Sequence, residues 1–474
     1  MPIRECQLIN SDFLGEVIVS DQETYFGLDE MFISATDAQG LITSCNDVFI
    51  RVSGYSKERL IGAPHNIIRH PDMPKAVFKL LWDTIQSGKP ICAYVKNRSI
   101  DGKHYWVVAS VVPSDDSYLS VRFKPSSEIF GLIPGIYSQM LEIEKQKGVE
   151  ASTAFLIENL KKLGFNSYEE FQSKLLEEEI NSRDKKLAEM GKSEKLVNFR
   201  SSESRIHVSE MYRIGVLSVK SLKSAFINVQ SFNHIKSSLE KTSSILRACE
   251  QLEYLSMNMS VMANKMGKEG PSLAVISSAF QKSSREVTER FKKFYISIEQ
   301  IDKIVNQIKF DVFFSRVYVE MLSFYTLEML ESSKFESELP LFMRDFSKII
   351  DTVQKYFSKT ISIQGDALQV MKEFKLLTEM LKSVVMSLDL IRMGGRLEGS
   401  RSLKTEEVFA PYVEEMVKSI QSIEIPINAI SINVDEMISY LVSIRGELNI
   451  IAVQLIEMDL VRFRDFRVIA MSVA

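Results

Sequence analysis

The sequence predicts a small α+β domain at the front, followed by a long all-α region of antiparallel helical hairpins with coiled-coil spacing. Three observations carry this reading. Strand and turn signals are confined to residues 29–125, helix formers dominate after Pro125, and apolar residues then recur in alternating steps of four and three. At 474 residues the chain is too long for a single core, so several domains are expected.

Element by element, "MFISATDAQGLITSCN" reads as a strand, a turn at Ala38 to Gly40 and a second strand. "DVFIRVSGYSKERLIGA" gives two short helices, each stopped by a glycine, Gly54 and Gly62. Pro74 suits the opening of a helix over 75–87 that ends at Gly88. "ICAYVKNRS" and "HYWVVASVVP" are strands joined by Asp101-Gly102, a hairpin signal, and "YLSVRFKP" is the last strand. Both tryptophans, Trp82 and Trp106, fall in this region.

Behind it, "EIFGLIPGIYSQMLEIEKQ" predicts a connector helix over about 126–146, with a break near Pro134-Gly135. Two short helices around Gly164 come next, then a charged run to about Lys195. From Tyr212 the pattern turns heptad-like. Val287, Phe291, Phe294, Ile298, Ile301, Val305, Ile308 and Val312 mark a seam sustained for more than three heptads. "MGKEGPS" (266–272) must stop a helix, and "MGGRLEGSRS" (393–402) is a second break between limbs at about 341–392 and 404–470. The expected divisions are therefore an N-terminal segment 1–28, the α+β domain 29–125 and a connector with a small helical insert 126–210. A hairpin 211–340 with its tip near 267–271 follows, then a second hairpin 341–474 with its turn near 394–402. A seam this long has to be covered, by a second copy of the chain or by folding the second hairpin onto the first.

The bulk numbers exclude several classes. Lys and Arg total 58 against 62 Asp and Glu, a net charge of −4, which argues against nucleic acid as a partner. Four scattered cysteines (Cys6, Cys45, Cys92, Cys249) have no CxxC spacing, so neither a disulfide framework nor a zinc site is expected, and a cytoplasmic location fits. No window of about 18 uncharged apolar residues exists; the nearest, 310–330, is broken by Asp311, Arg316, Glu320 and Glu328. No signal peptide is read in the first residues. Enzyme readings lack parts: the glycine clusters do not stand between strand and helix, and the five histidines form no metal or nucleophile constellation, so no catalytic or metal residue is expected.

The stretch "HNIIRHPDMPKAVFKLLW" (65–82) concentrates the polar chemistry. Its residues alone leave two readings open. The Arg-His-Pro-Asp turn can cap the next helix, with Asp72 as N-cap and the imidazoles bonded to backbone, or its donors can face a bound ring. Together with "FISATDAQGLITSCNDVFIRVSGY", "GAPHNIIRHPDMP" and "VKNRSIDGKHYWVVASVVP", it resembles the PAS domain of bacterial aerotaxis receptors over about a hundred residues. That resemblance implies a PAS fold holding FAD, with heme and an empty structural fold as alternatives. By the same resemblance Arg69, His70, Asp72, Trp82 and Asn97, with His65 and Asn66, are the cofactor-binding candidates.

"LSMNMSVMANKMGKEGPSLAVISSAFQKSSREV" (255–287) is similar, without a gap, to the hairpin tip of methyl-accepting chemotaxis proteins. The resemblance implies a partner-binding tip at Gln251, Asn258, Met262 and Lys265, reading a chemotaxis histidine kinase and its coupling protein. The departures are Met262 in place of the family's glutamate, Lys265 and Pro271 in place of arginines, and Leu273 in place of phenylalanine. Met259, Met262 and Met266 form an adaptable apolar group there. Glutamate pairs in "EEEINSRDKK" and "TEEVF" read as solvated helix faces, and "KLAEMGKSEKLVNFRSSESR" as a solvated basic one. Taken together these readings imply a cytoplasmic, homodimeric redox or oxygen sensor of the aerotaxis type, relaying through a divergent chemoreceptor-like rod. The alternative is a cofactor-free, dimerising adaptor for a partner outside chemotaxis.

Overall fold

The computed structural model describes residues 19–191, 202–239, 242–267, 270–401 and 403–472. Cys6, residues 192–201 of the basic run, and Lys268 and Glu269 of the tip lie outside the described residues.

The front domain is a five-stranded antiparallel sheet with short helices laid across one face. Its strands are β1 (Met31–Asp37), β2 (Ile42–Cys45), β3 (Ile91–Arg98), β4 (His104–Ser114) and β5 (Ser117–Phe123), in the spatial order β2-β1-β5-β4-β3. Between β2 and β3 run α1 (Asp47–Ser53), α2 (Lys57–Leu60), a 3-10 turn (His65–Ile68) and α3 (Lys75–Gln86). The β1–β2 turn needs Gly40: its φ is +82°, and a Cβ there would sit 3.0 Å from the Trp82 ring packed over it. Asp37 closes that turn by accepting from the Gln39 and Leu41 amides.

Register sorts the side chains. Residues paired across strands share a face, so Phe32, Ser34, Asn97, Tyr105, Val107, Ala109, Ser120 and Arg122 look toward α1–α3. Cys92, Tyr94, Trp106, Ser110, Leu119 and Phe123 look the other way.

Helices cover that second face. A 3-10 turn (Glu128–Leu132) leads into α4 (Ile133–Lys147), where Pro134 falls in the first turn and so starts the helix rather than breaking it. Then come α5 (Val149–Lys162) and α6 (Tyr168–Glu189). Trp106 packs between Phe130 and Tyr137. The outer edge of β3 is closed by side chains: Tyr168 and Tyr137 hydroxyls donate to the Cys92 and Tyr94 carbonyls, and Gln172 accepts from the Cys92 amide.

The charged run of α6 is no solvated face, which corrects the sequence reading of "EEEINSRDKK". Glu177, Glu179 and Arg183 are buried. Glu179 accepts from the Tyr94 hydroxyl at 2.7 Å, the Ser127 hydroxyl at 2.8 Å and the amides of Ser126 and Ser127 at 2.6 and 3.1 Å. The density of charge hid this, because only tertiary contact turns an exposed-looking glutamate into a latch on the chain leaving β5.

The remaining helices are α7 (Glu203–Leu239), α8 (Thr242–Lys265), α9 (Gly270–Glu331), α10 (Phe335–Gly399) and α11 (Leu403–Ser472). The chain divides into two compact units. One joins the chain up to Lys223 to 309–360 and 449–474; the other comprises 224–308 and 361–448. The units therefore cut across both expected hairpins. In the second unit Val287, Phe291, Phe294 and Ile301 are buried, and Phe294 stacks on Phe374 of the other hairpin with centroids 4.7 Å apart. That part of the seam is covered within the chain. Gly394 and Gly395 are helical, and the second turn falls at Ser400 and Arg401.

In the first unit, the stretch 310–330 lies against the front sheet. Tyr318 donates to the carbonyls of Ser110 and Leu119 on adjacent strands, and Arg183 pairs with Glu320 while lying over Phe123. No helix among the described residues is long and apolar enough to cross a membrane.

Candidate functional site

The front domain holds one group of buried polar atoms without partners, several of them on the inner sheet face that looks toward α1–α3. The 3-10 turn brings in His65 and Asn66, and an isolated bridge between Arg69 and Asn97 pins the following loop to β3. Among the described residues, the side-chain atoms Tyr55 OH, Asn66 Oδ1, His70 Nε2, Asn97 Nδ2, Tyr105 OH, Ser120 Oγ and Arg122 Nη1 are all buried with no hydrogen-bond partner. Native interiors leave few such atoms, each costing about 1–3 kcal/mol. With Arg98 Nε, eight such atoms fall in this one small domain, a concentration of unspent hydrogen-bonding capacity.

The protonation states can be read from the partners. His70 is 1% exposed, and its Nδ1 accepts the Asp72 amide at 3.1 Å. Burial, then Lys96, push its pKa from 6.5 down to about 4. The ring is therefore neutral near pH 7, and its contact with the Asp72 carboxylate at 3.5 Å is no ion pair. The proton then sits on Nε2, which is left as a donor without an acceptor. His65 stacks flat on Phe49 at 5.9 Å and receives a hydrogen bond from Arg122 at Nε2. Burial, followed by the Arg122 charge, holds it neutral as well.

The seven sequence candidates fall into two groups. Asn66, His70 and Asn97 carry buried unpartnered atoms and His65 joins Arg122, but the His70 ring meets His104 edge to face at 6.0 Å, and His104 has the register parity opposite to that of Asn97. Arg69, Asp72 and Trp82 are engaged with the protein. Arg69 donates to the Met73 carbonyl at 2.8 Å and covers the Phe78 ring at 4.5 Å. Asp72 pairs with Lys96 at 2.7 Å, a bond that holds the carboxyl below its usual range against the opposing effect of burial. It does not cap α3. That helix start is capped from outside by Glu144 of α4, which accepts from the Lys75 and Ala76 amides. Trp82 meets Tyr118 edge to face at 5.5 Å.

Sequence reasoning missed Tyr55, Tyr105, Ser120 and Arg122. Their signal is strand parity: Tyr105, Ser120 and Arg122 alternate onto the same face as Asn97, where an apolar residue is otherwise expected.

A second joint connects this domain to α9. Glu328 accepts from Asn46 Nδ2 at 3.1 Å and the Val48 amide at 3.2 Å, at the start of α1. It borders a cavity of about 60 Å³ lined in part by Cys45, Asp47, Lys57, Tyr325, Glu338 and Asp345. Burial first, then Asp47, raise its pKa from 4.5 to about 7.

At the other end of the chain, the tip residues Gln251, Asn258 and Lys265 are exposed and Met262 is half-buried. Met259 is fully buried, so it is core and not part of an apolar surface. Among the described residues no group of three or more His, Cys, Asp or Glu is placed to hold a metal ion.

Residues 42–123 match the family model described as the PAS fold. The front of this chain is thus a PAS domain, in keeping with its five-stranded sheet and helical cover. The chain is 41% identical to the aerotaxis receptor of Escherichia coli (strain K12) over 127 residues, 26% of this chain and 25% of the receptor. It is 30% identical to the nitrogen fixation regulatory protein of Klebsiella pneumoniae over 81 residues, 17% of this chain and 16% of that protein. The matches thus span a quarter or less of these relatives. Among solved structures, the light-state blue-light photoreceptor Aureochrome1 LOV matches at 23% identity and a TM-score of 0.20, covering 22% of this chain and 88% of that one.

Proposed function

We propose that this chain is a redox or oxygen sensor whose PAS domain binds a flavin, FAD, and passes the state of that cofactor to the helices packed on its sheet. The observation that carries the reading is the set of unpartnered polar atoms in the PAS interior. They are of the kinds a flavin ring uses. Asn97 Nδ2 and His70 Nε2 would donate to ring carbonyls or nitrogens, Asn66 Oδ1 would accept a ring N–H, and Val95, Val107 and Ala109 would give the apolar wall. The name of the receptor matched at 41% identity supports the same class of signal. Bound flavin supplies reversible electron acceptance; the chain's residues orient it, keep water out and respond to its charge.

The relay runs across the sheet. A shift of donors on the inner face moves β4 and β5, whose carbonyls at Ser110 and Leu119 hold Tyr318 of α9. A shift of α1 reaches the same helix through Glu328. Kinase and coupling-protein contacts belong to Gln251, Asn258, Met262 and Lys265 at the tip. A homodimer would use the outward stripe Met386, Leu390, Met393 and Leu397, which is exposed and spaced by four, three and four.

The test is the absorbance of the purified full chain, loaded with FAD, near about 450 nm. Asn97→Ala is expected to weaken retention at least tenfold, about 1.4 kcal/mol for one hydrogen bond to the ring. A colourless wild-type protein after flavin supplementation refutes the reading and favours the cofactor-free adaptor; a Soret band favours heme.

A further inference from the structure

We propose that Arg122 is the redox-tuning residue of the PAS pocket, a fixed positive charge that faces the bound ring and keeps its reduced form anionic. The assignment rests on the flavin reading above and names the regulation of that same site.

Arg122 is 3% exposed, in β5, on the inner face of the sheet. Buried charges are ordinarily paired with an opposite charge, because an unpaired one costs several kcal/mol. No carboxylate pairs with Arg122 among the described residues. Its Nη2 donates to Ser34 Oγ at 3.0 Å and to His65 Nε2, and its Nη1 has no partner. Both acceptors are neutral: one is a hydroxyl, and the other an imidazole that accepts at Nε2 and so carries its proton on Nδ1. The Phe49 ring, 5.3 Å from the guanidinium carbon, offers only the weak attraction of its π face. The ionisable groups that bear on Arg122 are His65, Tyr105, Tyr318 and Cys45, all neutral at pH 7. Burial lowers the guanidinium pKa only to about 10, so the charge stays in place.

A purely structural arginine would be expected to find a carboxylate or backbone carbonyls. Here the free Nη1 lies on the same face as Asn97, Tyr105 and Ser120, which also have unpartnered atoms. The missing partner is therefore a charge brought by the ligand. Oxidised flavin is neutral in its ring. Taking up two electrons and one proton makes the ring a monoanion, and the second proton stays in solvent. A guanidinium held dry beside it stabilises that product and not the oxidised form, which raises the potential. His65 is the positioning residue: its acceptor nitrogen fixes the guanidinium plane, and its neutrality leaves the full charge for the ligand.

The experiment is a potentiometric titration with dithionite of the FAD-loaded full chain, as wild type, Arg122→Met and Arg122→Lys, repeated at several pH values on the acid side of neutrality. Wild type is expected to take one proton per two electrons, a slope of about 30 mV per pH unit. Arg122→Met is expected to lose about ten- to hundredfold of the preference for the reduced form, about 30–60 mV for a two-electron couple, with a slope near about 59 mV. Arg122→Lys should recover most of the shift. A flavin-loaded wild type that already takes two protons overturns the assignment, whether or not Arg122→Met folds. So does an Arg122→Met protein with unchanged potential. Weaker FAD binding at unchanged potential would place Arg122 on the cofactor's phosphates, and overturns it equally. A wild-type chain that binds no flavin removes the flavin reading itself, and this assignment with it.

Discussion

Glu328→Gln tests the joint between the PAS domain and α9. In the folded chain the carboxyl titrates at about 7 instead of 4.5, mainly because it is desolvated, although Asn46 and Val48 donate to it. A rise from 4.5 to about 7 is about 2.5 units, at most about 3 kcal/mol at 1.36 per unit. Glu328 is only partly enclosed, and screening reduces this to about 1–2 kcal/mol. The sign follows from proton counts. Between the unfolded and folded pKa values the native state holds the extra proton, so wild-type stability falls as pH rises through that window. Glutamine keeps the acceptor oxygen and cannot ionise. Urea unfolding of both proteins from about pH 5 to 8.5 should therefore show the variant gaining about 1–2 kcal/mol on wild type across the range. Differences between the two proteins cancel every other titrating group. A difference that does not change with pH would refute the account of this joint.

Other outcomes follow from the same geometry. Glu179→Ala leaves the Tyr94, Ser126 and Ser127 donors without their shared acceptor, and is expected to cost about 3 kcal/mol in urea unfolding, with faster proteolysis near 126–132. His70→Gln should flatten the acid limb of stability. Wild-type His70 titrates at about 4 when folded, so the unfolded chain binds the proton first and stability is lost as pH falls below about 6.5; thermal midpoints against pH read this. Tyr318→Phe removes a hydroxyl that donates to two strands and should cost about 1 kcal/mol. It should leave flavin retention unchanged, which separates the relay contact from the pocket.

Much of the PAS domain was legible because its punctuation is local. The glycines Gly40, Gly54, Gly62, Gly88 and Gly102 all have positive φ, where turn chemistry places them. The seam at Val287, Phe291 and Phe294 was legible from its spacing, but what covers it was not, since the 4–3 rhythm is the same for a second copy and for a folded-back hairpin. Glu179 and Glu328 were illegible for another reason. Glu328 bonds Val48, 280 residues away in sequence, and no local pattern distinguishes a carboxylate that will cap a distant helix from one that faces water. Arg122 hid because a lone arginine in a strand looks like an exposed residue until the strand order makes β5 the middle strand and register puts it on Asn97's face.

The closed margin of β3 has a further consequence. Sheets commonly recruit other chains by adding a strand where main-chain groups stand open, and here two tyrosines and a glutamine occupy those groups at Cys92 and Tyr94. Extension of the sheet on that side would first require α4 and α6 to be peeled away. A partner strand arriving at this margin would thus have to displace helices that are themselves bonded to the sheet, and the cost of doing so guards that edge.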